Sequence, residues 1–456
     1  IIRIKMLLYK QGNILSKLVF GRGIKMVLKR ANDNSVVEYI KTFLDSQKRE
    51  LMECCYYTIK DERDQRYFKE SIALMEDVAF DSLFPLVSAV VLTANKIECD
   101  SLNYIVSKQD ASSLKKRKHS LPIFERGDLA SPDAYIFRIG SAYLLHLNAY
   151  ETGANTPGGS ADLVRFISNN PLLRPTCIIS FGICYGRDPK SQDIGDVLIP
   201  KKLYPWSVGQ KITDNKFYIK HDNFNLWLED KFSESGIYSV LNDFCNGEDG
   251  KVISNSFTLK NKKEEDEKEY DFSVKVTWGN MSTGEAVVSS QQAKRMIREA
   301  ASNEKELGGE MEGYGIAKEC IFYANIPCFI LKAICDWGEC KDIDKKLKDE
   351  KIECPAYLKD QLQAYAAFCA GIVLLQLLSD EKEKLLSLKL IEWMGDKKRK
   401  NSIGKHTYVS KERFIKNIGK FYNVNGVMAQ KILEILMEND VIKRNQAGDK
   451  YYINVQ

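Results

Sequence analysis

An α/β fold, with helices on both sides of a largely buried sheet, is what this sequence predicts, and three observations carry it. Strand-type apolar runs alternate with helical patterns along most of the chain. Several runs, at residues 86–94, 176–180 and 326–337, are apolar on both faces, as strands covered on both sides must be. The last of them, IPCFILKAICDW, ends on Asp336, and α/β enzymes place their chemistry at the carboxyl ends of buried strands. Just upstream, GGEMEGYGIA (308–317) sets Glu310 and Glu312 on either side of Met311 where a loop becomes a helix. Gly313, Gly315 and Ala317 let that helix pack closely. Read from the residues alone, this is an α/β fold with a carboxylate-based site.

At 456 residues the chain is long enough for two or three domains, and an apolar fraction of 44% is that of a globular protein. No unbroken apolar run reaches the roughly 18–20 residues of a membrane span. The longest, at 366–378, contains Gly and Gln and is read as a buried helix, so no membrane association is expected. Arg3, Lys5 and Lys10 interrupt the N-terminus, so no secretory leader is expected there. The chain begins without Met, so further sequence upstream is expected. Twelve Cys are scattered, many in apolar runs, and no paired CxxC appears. The four His (119, 146, 221, 406) have no metal spacing. Reduced core thiols, a cytoplasmic setting, and no metal or cofactor follow. From Asp380 onward there are 16 Lys and Arg against 10 Asp and Glu, so the net charge of +5 belongs to the tail.

In chain order, residues 1–78 form a helical lead-in, with patterns at 36–43, 51–59 and 67–75 and no chemistry attached. A catalytic domain follows at 79–379. It opens with the strand at 86–94, a loop ending on Glu98 and a helix start at 99–105. The basic cluster 115–118 is expected to be a solvated loop. Residues 135–139 and 142–148 read as a hairpin across Gly140-Ser141. The Gly-rich stretch 151–159 opens a helix at 160–167, and as a lone motif it reads as a turn. The strand at 176–180 runs into a GICYG turn (182–186), and DIGDVLI (193–199) supplies the next strand. Residues 211–240 carry no readable motif, and the charged run 260–269 is expected to be an exposed insertion. STGEA (282–286) precedes the acidic pair, and a long helix at 357–378 closes the domain.

Six motifs in this order (the strand and loop to Glu98, GICYG, DIGDV, STGEA, EMEGYG and KAICDW) resemble the nucleoside phosphorylase and nucleosidase superfamily. The resemblance covers residues 85–378. It is strongest to the hydrolytic branch containing methylthioadenosine/adenosylhomocysteine nucleosidases. It implies a three-layer α/β/α domain with a mixed sheet and a homo-oligomer. Cleavage of the N-glycosidic bond of a purine nucleoside or nucleotide is the implied activity, adenine type favoured. Asp336 then protonates purine N7, Glu312 holds the ribose hydroxyls with Met311 beside the sugar, and Glu98 positions and activates water. Val287 and Val288 contact the base, and Gly182 in its turn lies by the sugar. Such chemistry needs an acid for the leaving base, a base for water, and carboxylates near an oxocarbenium ion. Burial of Asp336 among Ala333, Ile334, Cys335 and Trp337 would favour its protonated form. Trp337 itself is read as core rather than as a platform for the base.

The phosphorolytic branch is the alternative within the superfamily, and it needs cations for phosphate where this chain has Glu98. Lys332 stands where the related hydrolases carry Arg, Arg187 follows GICYG, and Lys96 lies nearby in sequence. Three cations around one pocket point to a 5′-phosphorylated substrate such as AMP or ATP. Residues 380–456, with helical patterns at 385–393, 411–421 and 427–439 and a hairpin at 441–453, resemble a winged helix-turn-helix. The helix that would enter a groove offers Lys431 against Glu434 and Glu438, so a protein-partner or oligomer contact is favoured over DNA. A nucleosidase joined to adaptor-like modules resembles antiphage defence effectors. The reading from another class is a non-catalytic nucleotide sensor whose tail binds DNA or a partner.

Overall fold

The structure, a computed structural model, describes residues 36–46, 48–60, 72–109, 114–122, 132–149, 158–206, 210–213, 216–219, 225–260, 267–284, 288, 293–294, 297, 306–338, 347, 357–391, 393–394, 409–445, 448 and 450–453. Its centre is a mixed sheet of twelve strands: β1 (Ala73–Met75), β2 (Val87–Thr93), β3 (Lys115–Arg117), β4 (Asp133–Ile139), β5 (Ala142–Asn148), β6 (Cys177–Gly186), β7 (Val197–Pro205), and, after a separate hairpin of β8 (Gln210–Thr213) and β9 (Lys216–Ile219), β10 (Leu226–Trp227), β11 (Lys251–Lys260), β12 (Glu267–Thr283), β13 (Glu306–Glu310) and β14 (Cys328–Asp336). β5, β2, β6 and β14 are parallel neighbours. β14 then meets β7 antiparallel, β7 pairs with β12 and β12 with β13. β13 returns antiparallel to the end of β6, through Gly308↔Gly186 and Gly309↔Tyr185. Five strands thus close a ring, and the glycines are why it closes. A Cβ on Gly308 would run into the Tyr185 carbonyl, and one on Gly309 into the Tyr185 ring.

The helices are α1 (36–44), α2 (Lys48–Lys60), α3 (Lys96–Gln109), α4 (Ser160–Asn169), α5 (Ile237–Cys245), α6 (Gly313–Glu319) and α7 (Leu358–Asp380). α2, α3 and α7 pack on one another, with α3 against β2 and β6 and α7 against β6 and β14. α4 and α6 pack together over β2, β7 and β14. Strand alternation assigns the sides: Ile330 and Lys332 of β14 lie under Gly313 and Glu312, at the start of α6. This is the α/β architecture that the apolar pattern predicts, with the mixed sheet that the resemblance implies. α7 is 23 residues long with a mean hydropathy of 1.7 in its most apolar window, so by length and composition it meets the test for a membrane span. The expectation drawn from unbroken runs missed this, because averaging tolerates the interrupting Gly and Gln. Within the protein, 83% of that window is buried, as the central helix of a core would be.

Several local expectations change. GICYG is not a turn but the last half of the ten-residue strand β6. Residues 115–117 form a strand, not a solvated loop, because Arg117 is buried and both its Nε and Nη2 donate to the carboxylate of Asp81. Ala73–Met75 is a strand paired with β3, so the lead-in already contributes to the sheet. DIGD (193–196) is a loop preceding β7. Lys260 and Glu267 close the β11–β12 hairpin around the charged run, whose residues 261–266 lie outside the described residues.

In the tail, a helical turn at Lys382–Leu385 and a short helix from 389 replace the single helix expected at 385–393. Then come β15 (Val409–Ser410), α8 (Lys411–Tyr422), α9 (Gly426–Glu438), β16 (Ile442–Arg444) and β17 (Lys450–Ile453), the strands ordered β15-β17-β16. Ser410 and Asn425 start the two helices by accepting bonds from Arg413 N and Met428 N. The tail rests on the amino ends of the central strands. Tyr422 Oη donates to Pro85 O at 2.9 Å, and Thr176 Oγ1 donates to Ser387 O at 2.5 Å.

Candidate active site

The carboxyl ends of β6 and β14, the end of β13 and the start of α3 surround a cleft of about 230 Å³. Glu98, Met311, Glu312, Asp336 and Val288 line it, as the sequence pairs them, together with Asn95, Ile183, Cys184, Tyr185, Gly309, Glu310, Cys335, Lys359 and Gln363.

Glu98 arrives through a capping box: Asn95 Oδ1 accepts from Glu98 N (2.9 Å), and Glu98 Oε2 accepts from Asn95 N (3.2 Å) and Ala94 N (2.9 Å). Its other oxygen accepts from Ile183 N at 2.9 Å. Gly182 has φ +151°, and a Cβ there would strike the Glu98 carboxylate. Its role in this geometry is therefore to make room for Glu98, and it is not itself a lining residue. Burial raises the Glu98 pKa, Lys332 opposes that, Glu312 adds to it, and the backbone N–H groups favour the ionised form.

Glu312 starts α6, where its carbonyl accepts from Ile316 N. Glu310 supports it from below, with Oε2 accepting from Glu312 N (2.8 Å) and Gly313 N (2.7 Å). Burial first, and then Glu312, raise the Glu310 pKa. Lys332 reaches up from β14 between the acids, its Nζ 3.0 Å from Glu312 Oε2 and 3.9 Å from Glu98 Oε1, and it is 1% exposed. Burial alone would strip the proton from this ammonium. Glu312, Glu98 and Glu310 more than reverse that, so it stays charged.

Asp336 closes β14 at a bulge opposite β6. It is half-buried rather than enclosed, while Ala333, Ile334, Cys335 and Trp337 around it are buried. Its Oδ1 accepts from Gly338 N at 2.6 Å, and Cys335 Sγ lies 3.6 Å from Oδ2. Trp337 is core: it is 2% exposed, sits against Gly186, and takes Tyr39 of α1 edge-on at 5.3 Å. The lead-in is therefore packed one residue from the candidate acid.

The three cations expected around the pocket do not gather there. Lys332 is buried beneath it on two carboxylates. Lys96 pairs with Asp100 at 2.6 Å on the outside of α3. Arg187 lies beyond the lining, in a loop where its backbone N–H donates to Gln192 Oε1. Val287 lies outside the described residues. The sequence reading missed Lys359 and Gln363. Their one available signal is i,i+4 spacing at the start of a long helix. Among the described residues no cluster of His, Cys, Asp and Glu is disposed to hold a metal.

No family model matches the chain. A curated protein of Amphimedon queenslandica, a death domain-containing ATP nucleosidase, is 27% identical over 230 residues, which are 47% of this chain and 38% of that protein. The chain thus matches well under half the length of its curated relative. Among solved structures, the 5′-methylthioadenosine/S-adenosylhomocysteine nucleosidase of Neisseria meningitidis superposes with a TM-score of 0.38 and 15% identity, over 65% of this chain and all of that one. The S-adenosylhomocysteine nucleosidase of Streptococcus pyogenes gives 0.39 and 18%, over 64% and 97%. In sequence, then, about half of this chain is similar to a nucleosidase.

Proposed function

We propose that this chain hydrolyses the N-glycosidic bond of a purine nucleoside or nucleotide and releases the free base, with adenine favoured. The observation that carries the reading is the convergence of Glu98, Glu312 and Asp336, distant in sequence, on one cleft with Lys332 buried between the two glutamates. The similarity to an ATP nucleosidase supports the base and the nucleotide class.

In this reading Asp336 delivers a proton to purine N7 as the C1′–N9 bond breaks and its electron pair leaves with the base. Water adds to C1′, and Glu98 accepts the proton it loses. The three N–H donors on Glu98 fix its carboxylate and leave one lone pair, on Oε1, for the water. Lys332 favours the ionised form of Glu98 and lies 3.0 Å from Glu312, which accepts from the ribose hydroxyls, so the site opposes positive charge developing on the sugar. A carboxylate at Glu98 repels phosphate as attacking group, which favours hydrolysis over phosphorolysis.

The flanks fit control of this activity. α1 touches Trp337, and the exposed face of α9 (Val427, Met428, Lys431, Glu434) mixes apolar and both charges, as a protein contact would. A winged-helix adaptor in a homo-oligomeric, antiphage-type effector is the setting we attach to it.

The test is chromatographic detection of adenine from adenosine, methylthioadenosine, AMP and ATP, with and without phosphate. Release without phosphate, reduced about 10²- to 10⁴-fold in Asp336→Asn, is expected. Release only with phosphate would move the chain to the phosphorolytic branch. Tight nucleotide binding without release would favour a sensor.

A further inference from the structure

The cleft is lined by four acids, Glu98, Glu310, Glu312 and Asp336, and among the described lining residues one cation faces them: Lys359. Lys332 already offsets, from beneath, one of the two charges that Glu98 and Glu312 can carry. Lys359 stands in the first turn of α7, with Gln363 one turn further on the same side, and both line the cleft. Neither has a hydrogen-bond or ion-pair partner among the described residues. Asp360 shares the turn but does not line the cleft. An unpaired ammonium beside an amide donor is what an anion needs in order to enter a pocket otherwise lined by carboxylates. Lys359 is exposed and Gln363 half-buried, so both donors are open to a ligand that enters the cleft from solvent.

We propose that Lys359 and Gln363 bind the phosphate of a 5′-phosphorylated purine nucleoside and make the chain selective for nucleotides over nucleosides. The proposal rests on the nucleosidase reading and assigns its substrate class. It moves the phosphate contact away from Lys96, Arg187 and Lys332. Inorganic phosphate acting as a co-substrate would present the same oxygens to Lys359, so dependence on added phosphate separates the two sources.

The experiment measures kcat/KM for base release from AMP, ATP and adenosine by the full chain and by Lys359→Ala, Lys359→Arg and Gln363→Ala, each with and without phosphate. The AMP-to-adenosine ratio should fall about 10- to 100-fold in Lys359→Ala, mainly through KM, as for loss of a charge-assisted hydrogen bond. It should fall less in Gln363→Ala and recover in Lys359→Arg. A ratio unmoved by Lys359→Ala overturns the proposal. So does a wild-type preference for adenosine, or an effect of Lys359→Ala confined to activation by added phosphate. If the wild type releases no base from any substrate, the nucleosidase reading fails by itself. Equilibrium binding of AMP and adenosine to the same proteins then decides: AMP preference lost in Lys359→Ala supports the phosphate site, and equal affinities overturn it.

Discussion

The two ends of the central strands differ in kind. At the carboxyl ends of β2, β6 and β14, ionisable groups are buried and held by one another: Lys332 on Glu312 and Glu98, and Glu98 on three backbone N–H groups. At the amino ends of β2 and β6 the tail docks through neutral groups, Tyr422 on the Pro85 carbonyl, Thr176 on the Ser387 carbonyl, and Cys177 Sγ near the Leu385 carbonyl. Buried charge is costly and is found here only with partners. Neutral docking contributes about 1 kcal/mol per hydrogen bond and asks little of its surroundings. One end of these strands is built to hold ionisable groups for chemistry and the other to hold a neighbour.

The largest way to break it is Lys332→Met. That change leaves two buried carboxylates facing each other, so denaturant unfolding should show a loss of about 3–5 kcal/mol. Wild-type stability in this variant would mean that the acids are not ionised, and the contrast between the ends would disappear.

A second effect is acid sensitivity near the charged end. His146 on β5 is fully buried, with Nε2 2.9 Å from Thr93 Oγ1 and Nδ1 2.9 Å from Asn103 Oδ1, and burial pushes its pKa down to about 3. The unfolded chain takes up that proton below about pH 6.5 and the folded one does not. Stability is therefore full above that pH and declines by about 1.4 kcal/mol per unit towards pH 3. By pH 5 the loss is about 2 kcal/mol. Unfolding curves from pH 7 to pH 4 should show this slope, flattened in His146→Gln.

Tyr39→Ala sharpens the comparison. It removes the ring braced on Trp337 and the hydroxyl that donates to Asp193 Oδ1 and accepts from Ile194 N. Base release should fall roughly three- to tenfold, the scale of one aromatic pair. An unchanged rate would disconnect the lead-in from the acid. The smallest effect is at the docking end: Tyr422→Phe should lower stability by about 1 kcal/mol, with base release within about twofold of wild type. A larger drop in rate would show that the tail reaches the cleft through the strands.

Much of this architecture is legible in the sequence. The runs at 86–94 and 326–337 are apolar on both faces, and that alone requires strands covered on both sides, which β2 and β14 are. Glu98, Met311, Glu312 and Asp336 sit at local junctions of strand, loop and helix, and such junctions are written in neighbouring residues. The helix patterns at 36–43 and 51–59 also have described counterparts in α1 and α2. The GICYG stretch misleads because its glycines suggest a turn, whereas Gly182 and Gly186 relieve contacts with Glu98 and Trp337 inside a continuing strand.

The buried strands, the helices packed on them and the acids at their ends follow from consecutive residues, because hydrophobic period and capping are local properties. The direction of the cations, by contrast, follows from the packing of distant elements. Whether Lys332 faces solvent or two glutamates depends on strands that meet across a ring, with partners 20 and 234 positions away. Whether Lys359 or Lys96 borders the cleft depends on how α7 and α3 lie over the sheet. A long flexible side chain takes its partner from what the fold brings near it, and its neighbours in sequence do not choose that partner.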